Sequence, residues 1–502
     1  MPDSFEHMPT VAIRMPNGAL ASLAGNIDPH HQVAIADLVL VQSAVGPTVE
    51  RLVRGLRPDI VGLSVMTFQR ATAFKVARLV KTLRPSARIV AGGYDPSLAP
   101  EAYEACADID FIVRGEGEHT LCALLRALEN DPDPERRIPT PDSLPCIPGL
   151  SHRGANGAFV HNAARPVIPL ANEKLRLPNR GARVLRGYTL LGRTVDVVET
   201  SRGCTFDCSF CSIIEMRGRN FHPYPIDRVL ADVADARRHG AECIFLVDDN
   251  ITLDVERFAE LCEAIVDAGF HDSEYFVQAM TAPLAQHGAR LAPLMRRAGF
   301  RYVFLGIENV LDEDLKFLKA KSKNARREHG RTVGNASIEA IEHLHRHGMY
   351  VVGGLIVGNP DDTRESIETN LEFARQYVDW PYIQHPTPYP RTPMTRDFRD
   401  RGLIVDEDVA HYDGTTAVVR SERVDAEEIE FLRWRAERWM KVRHIPAAFV
   451  HSPGFVLRHG LEMLAHTFAG TTVKSMLGLE SDRAVFARYR QQRRQERQHV
   501  VT

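Results

Sequence analysis

Apolar and polar residues alternate along this chain in two regular phases separated by a stretch that has neither period. From about residue 9 to 130, short apolar runs recur as TVAIRM, QVAIADL, DIVGLSVMTF, ARIVAGG and DFIVRGEGE. Between them, ATAFKVARLVKTLRP and HTLCALLRALEN repeat apolar residues at helical spacing. Apolar strands alternating with helices predict a parallel, doubly wound α/β sheet covered on both faces. Residues 131–195 break the pattern with Pro, Gly, Arg and Asn, as in DPDPERR and RLPNRGAR, and read as a linker or wrapping segment with a few short strands.

Alternation then resumes in DVVET, CIFLVDD, YFVQAM, YVFLGIE, YVVGGLIVG and YIQHPTPYP, the last ending at residue 390. Helical stretches such as PIDRVLADVADARRHG and DVERFAELCEAIVDAG lie between them, several closed by Gly after basic residues. Six strand–helix units are too few for a complete eight-unit barrel, so a partial (β/α)6 barrel is expected. Beyond about residue 395, helices rich in Arg, Glu and Ala take over.

Composition changes this picture little. The chain has 502 residues, 44% of them hydrophobic and 25% charged, with a formal net charge of −3, so nothing points to nucleic acid or an anionic membrane. The strongest local bias, RYRQQRRQERQ at 488–498, reads most simply as a solvated terminal helix. The first residues lack the layout of a signal peptide, and no run of 18 apolar residues occurs, so a cytoplasmic location is expected.

Cysteine placement changes it a great deal. Three of eight cysteines, Cys204, Cys208 and Cys211, fall within SRGCTFDCSFCSII, directly after the first strand of the second phase. Structural zinc wants four ligands, usually as two separated pairs, and no second pair follows. Three thiolates on one loop suit an iron–sulfur cluster with one iron left open for a substrate or cofactor. The remaining five cysteines are scattered singly and read as small buried hydrophobes.

This Cys-x3-Cys-x2-Cys loop, with Phe210 before the third cysteine, resembles the signature of the radical SAM enzymes, whose fold is a partial barrel of six strand–helix units. The resemblance implies a four-iron four-sulfur cluster on the three cysteines and S-adenosylmethionine on the open iron, with an electron donor such as flavodoxin or ferredoxin. It also implies that Phe210, Asp248, Asp249, Gln278 and Glu308 contact S-adenosylmethionine. From the residues themselves, Asp249 is equally an N-cap and Glu308 equally half of a buried ion pair.

The preceding domain resembles the Rossmann-like, cobalamin-binding-type domain of a radical SAM class that includes class B methyltransferases. VGLSVMT, ARIVAGGYDPS, DFIVRGEGE and TPYPRTPM carry the likeness, although the class usually has Gly where Arg391 stands. Ser64, Thr67, Gly92, Gly93, Gly115, Glu116 and Gly117 are then the expected cobalamin contacts, at strand ends where a doubly wound sheet binds ligands. The Asp-x-His-x2-Gly motif that supplies an axial histidine is missing, and His30 and His31 precede a strand instead of following one.

The expected layout is a cobalamin-binding-like domain over 1–135, a linker over 136–195, a radical SAM partial barrel over 196–394 and a helical region over 395–502. The implied activity is methyl transfer from methylcobalamin to an unactivated carbon of a small, hydrophobic molecule. The alternative is cyclisation, rearrangement or carbon–carbon coupling without net methylation. A methylthiotransferase is disfavoured because the strand ends of the first domain carry no cysteines for a second cluster. A non-catalytic sensor is disfavoured because both the open-iron loop and the polar barrel strand ends are kept.

Overall fold

The computed structural model describes residues 13–129, 143–172, 174–328, 331–451 and 479–498, with Pro453, Gly454, Val456 and Leu457 between the last two. Two sheets organise the chain. The first runs Ile60–Ser64, Arg88–Gly92, Phe111–Val113, Leu150–Arg153 and Phe159–His161 in that spatial order; its first three strands are parallel and the last two antiparallel. Its pleat explains why helices cover both faces. Ile89 and Ala91 pack with Val49, Val76 and Val80 on one side, and Val90 packs with Leu124 and Ala127 on the other.

The second sheet has eight strands. Its last six, Arg193–Val198, Cys243–Leu246, Glu274–Met280, Phe300–Glu308, Tyr350–Ile356 and Trp380–Gln384, are all parallel, lie in chain order and correspond to the six expected units. Ile244, Val277, Val303 and Val351 turn outward to the helices. Phe245, Phe276, Tyr302 and Tyr350 turn inward. The sheet therefore curls into a half-barrel with an aromatic interior. Pro381 is tolerated because its strand forms the sheet's edge.

Two expected strands of the first domain are placed otherwise. Within TVAIRM, Ile13 and Arg14 join the barrel sheet antiparallel to Thr189–Leu190, and Ile13 packs with Val39 and Leu40 against the barrel's inner cluster. QVAIADL supplies only an isolated bridge from Ile35 to Arg183 before a 3-10 turn at Leu38–Ala44. The first run is apolar because Ile13 packs on the barrel, and the second because Ile35 packs with Ala21, Ala24 and Ala182. Within the expected linker, the strands at 150–153 and 159–161 extend the first sheet.

The basic tail is not a solvated helix. Helix Asp482–Gln498 docks on helix Ala426–His451 through Phe431, Trp434, Phe486 and Tyr489, and Arg493 is buried against Asp413 at 2.5 Å. The apolar stretch IPAAFVHSPGFVLRHGLEMLAHTF at 445–468 lies largely outside the described residues. No described helix is long and apolar enough to cross a membrane.

The helix Asp312–Phe317, which supports the cysteine loop, is anchored by a buried carboxylate pair. Asp362 accepts the Gly358 and Asn359 amides at 2.8 Å. Burial and the neighbouring Asp362 carboxylate push Asp314 up to about 7. A carboxyl raised by folding contributes most below its unfolded value and loses that contribution as pH rises through its folded value. Between about pH 6 and about pH 8 the wild type is therefore expected to lose more thermal stability than Asp314→Asn; equal losses contradict the assignment.

Candidate active site

The strand Arg193–Val198 delivers the chain to the cysteine loop, and the next strand end holds it there. Asp248, buried, accepts the Thr200 amide at 2.7 Å, the Ser201 hydroxyl at 2.6 Å and the Thr200 hydroxyl. Burial outweighs these donors and pushes its carboxyl up to about 6. Asp249 accepts the Gly203 amide at 2.8 Å. Gly203 itself has φ of +88°, and a Cβ there would sit 2.3 Å from the Asn220 side-chain oxygen, so only glycine fits. On the far side, Ser209 donates its amide to Leu318 at 3.0 Å and its hydroxyl to Phe317 at 2.9 Å.

The loop so held opens into a cavity of about 250 Å³ lined by Cys204, Cys208, Cys211, Phe210, Asp249, Asn250, Gln278, Glu308 and Lys323. Burial pushes the Cys208 thiol up to about 11 and the Cys211 thiol up to about 12, so metal must displace their protons to bind. Among the described residues the three thiols do not gather within 4.8 Å of one another, as ligands of a single ion would. Three soft donors on one loop, spread wider than one ion needs, fit a multi-iron cluster.

Glu308 lies at a register irregularity of its strand with φ of +61°, which turns its carboxylate into the cavity. There it pairs with Lys323, whose ammonium lies 5.6 Å from the centre of the Phe210 ring. Burial opposes the lysine's charge, but Glu308 and the nearby Cys208 raise its pKa. Asn250, which the strand end FLVDDN places at the active face, brings its amide nitrogen to 3.9 Å from Cys204 Sγ, whereas Lys323 escaped the sequence reading. Lys323 sits on a 3-10 turn ahead of a hairpin at 325–335, outside any predicted strand; the basic run KAKSKN is its one sequence signal.

Of the residues expected near S-adenosylmethionine, Phe210, Asp249, Gln278 and Glu308 line this cavity. Asp248 does not, because its carboxylate is consumed in holding the loop. Asp249 caps no helix; Asp254 caps the one that follows.

A second cavity, about 510 Å³, lies where the carboxyl ends of the first sheet face the barrel. Ser64, Gly92, Gly93, Gly115, Glu116 and Gly117 line it as expected. Thr67 does not; it is 2% exposed and packed beneath the wall, while its neighbour Met66 faces the space. A Cβ at Gly62 or Gly115 would meet nothing within 4 Å, so these strand ends form a shallow cradle with room for a flat ligand. His30 and His31 lie elsewhere, beside Glu129 at 2.6 and 3.5 Å. Arg391 takes φ of +69°, a conformation that suits the usual Gly, and lines neither cavity.

Asp249 lines both cavities, and buried charges join their walls. Arg202, two residues before Cys204, contacts Glu118 at 2.7 Å, Glu199 at 2.7 Å and Glu116 at 3.6 Å. Arg217 lies 3.7 Å from Glu116 and 3.5 Å from Asp249. Burial works against the Glu118 charge, yet Arg202 and the Ser22 hydroxyl hold it down to about 2.

Comparison with known proteins agrees with this division. Residues 8–125 match the B12 binding domain and residues 198–374 the radical SAM superfamily. The chain is a B12-binding radical SAM protein. It is 26% identical to an uncharacterized methyltransferase, PH0819, of Pyrococcus horikoshii, across 89% of this chain and 93% of that one. It is 24% identical to the anaerobic magnesium-protoporphyrin IX monomethyl ester cyclase of Rubrivivax gelatinosus, across 82% and 73%. The hopanoid C-3 methylase of Methylococcus capsulatus is 27% identical across 68% and 63%. The radical S-adenosylmethionine methyltransferase TsrM of Kitasatospora setae, solved with cobalamin and a [4Fe-4S] cluster, shares the fold with a TM-score of 0.61 at 19% identity, across 77% of this chain and 76% of that one. As a radical SAM enzyme, the chain belongs to a class that works with a four-iron four-sulfur cluster, S-adenosylmethionine and, with this first domain, cobalamin.

Removing Arg202 strands two buried carboxylates. Arg202→Ala is expected to lower stability by about 3 kcal/mol in denaturant unfolding, where a loss under about 1 kcal/mol would show that the cluster of charges is not buried as described.

Proposed function

We propose that this radical SAM enzyme transfers a methyl group to an unactivated carbon of a small, largely uncharged molecule. The observation that carries the reading is the meeting of the two cavities at Asp249, with the carboxyl ends of both sheets facing each other. When bound, the cluster and S-adenosylmethionine supply a radical that removes a hydrogen atom, and cobalamin supplies the methyl group.

The chain's own residues orient and enclose these groups. Cys204, Cys208 and Cys211 would hold the cluster. Lys323 offers a charged donor to the carboxylate of S-adenosylmethionine, while Glu308 and Asn250 offer acceptors to its amino group and ribose. Asp248 and Asp249 keep the loop in register, as their bonds to Thr200, Ser201 and Gly203 show. The strand-end glycines and Ser64 would receive cobalamin. With Glu308 and Lys323 given to S-adenosylmethionine and Asp249 held by the loop and Arg217, no other charged side chain among the described residues lining the cluster cavity is left for the substrate, which favours an uncharged one. A low-potential donor such as flavodoxin or ferredoxin would supply the electron.

A second reading, radical cyclisation or rearrangement without net methylation, is supported by the likeness to the ester cyclase. S-adenosylmethionine with a deuterated methyl group separates the two. Label retained in the product supports methyl transfer, and a product lacking it overturns that reading. Cys208→Ala is expected to abolish reductive cleavage of S-adenosylmethionine while cobalamin stays bound after desalting. Retained cleavage would remove Cys208 from the cluster.

A further inference from the structure

Helices Gly18–Asn26 and Gly117–Glu129, whose first turns line the cavity between the domains, are joined along their length by a ladder of side-chain contacts. Glu118 accepts from the Ser22 hydroxyl at 2.7 Å, the Cys122 thiol donates to the Asn26 carbonyl at 2.8 Å, and Arg126 pairs with Asp28 at 2.7 Å. Positions 118, 122 and 126 share one face of their helix, and Glu129, three residues on, continues it. The last rung is therefore a carboxylate carried on a fixed backbone toward the loop that follows the first helix.

That loop meets it with two histidines. Asp28, Pro29, His30 and His31 form a tight turn, closed by the His31 amide donating to the Asp28 carbonyl at 3.1 Å, with Pro29 where its preset φ suits. The turn sends both rings the same way. Their centroids lie 4.2 Å apart, and both Nε2 atoms face the same Glu129 oxygen, His30 at 2.6 Å and His31 at 3.5 Å. All three donor atoms lie within 4.8 Å of one another. An ion pair between His30 and Glu129 accounts for only two of these groups. The His31 Nε2 atom is shut off from solvent and makes no hydrogen bond among the described residues.

We propose that His30, His31 and Glu129 bind one zinc ion, remote from the cysteine loop, that fastens the outer end of this helix pair. Donor atoms on a tetrahedral zinc lie roughly 3.3 Å from one another, and the two histidine–glutamate spacings here fall on either side of that value. Two imidazole nitrogens and a carboxylate oxygen suit zinc, whereas calcium and magnesium take oxygen ligands. His30 and Glu129 are exposed, so water has access to the fourth position. Zinc gives the His31 nitrogen a partner that the ion pair does not. It also closes the ladder whose first rung, Ser22 with Glu118, stands against Arg202 at the cavity wall.

Isothermal titration of zinc chloride into the full chain, free of any affinity tag and with its iron–sulfur cluster assembled anaerobically, tests this directly. The wild type is expected to take up one zinc per chain. His30→Ala, His31→Ala and Glu129→Gln are each expected to bind it at least about tenfold more weakly, because even losing a partner behind a metal ligand costs about that much. Each variant is expected to keep the wild-type melting temperature without zinc, so that weaker binding reports the site and not the fold. Zinc is expected to raise that temperature in the wild type alone. Uptake at the cysteine loop or any other site would persist in all three variants and would overturn the proposal. A wild type that takes up no zinc also overturns it.

Discussion

Everything in this molecule turns on Arg202, a buried guanidinium surrounded by three carboxylates from two parts of the chain. Glu199 is its local partner, whereas Glu116 and Glu118 belong to the RGEGE turn of the first domain. A buried arginine is costly unless its charge and donors are matched, so the two domains satisfy it only when the turn and the cysteine loop lie against each other. Two residues later the chain reaches Cys204. The separation between the two cofactor cavities is thereby set by the same contacts that make the domains fold together. Arg217 repeats the device on the next turn of chain, linking Glu116 to Asp249.

Within the barrel, a second constraint fixes the loop itself. Adjacent aspartates at one strand end hold consecutive parts of the segment leading into the cysteines, Asp248 before Gly203 and Asp249 at it. Opposite, the loop leans on the Phe317 and Leu318 carbonyls through Ser209, and on Met394, whose amide donates to the Ser209 carbonyl at 2.9 Å. The thiols are thus held on a frame of backbone bonds before any metal arrives, which lowers the ordering cost of cluster binding.

The parts of this arrangement that are local in the chain were legible in it. The cysteine loop, the six apolar strands and the glycines at Gly92, Gly93 and Gly115 each depend on neighbours a few positions away. The parts made by distant pairing were not. Asp248 reads as an exposed strand-end carboxylate until the Thr200 and Ser201 donors, nearly fifty residues earlier, are brought against it. Lys323 enters the site from a turn between two elements and has no periodicity to mark it. QVAIADL is as apolar as a strand because Ile35 packs with Ala21, Ala24 and Ala182, and the Arg-rich tail is polar as if solvated although Arg493 meets a buried Asp413. Even Thr67 and Met66 exchange roles through one step of register, which alternation at a strand end leaves undetermined.

The claim beneath the whole account is that one chain carries both a cluster and cobalamin across a shared space. Metal analysis of protein reconstituted anaerobically with iron, sulfide and hydroxocobalamin, then desalted, tests it most directly. The account predicts about four irons and about one cobalt per chain. Iron without cobalt would contradict it, and would leave the cavity between the domains to some other ligand.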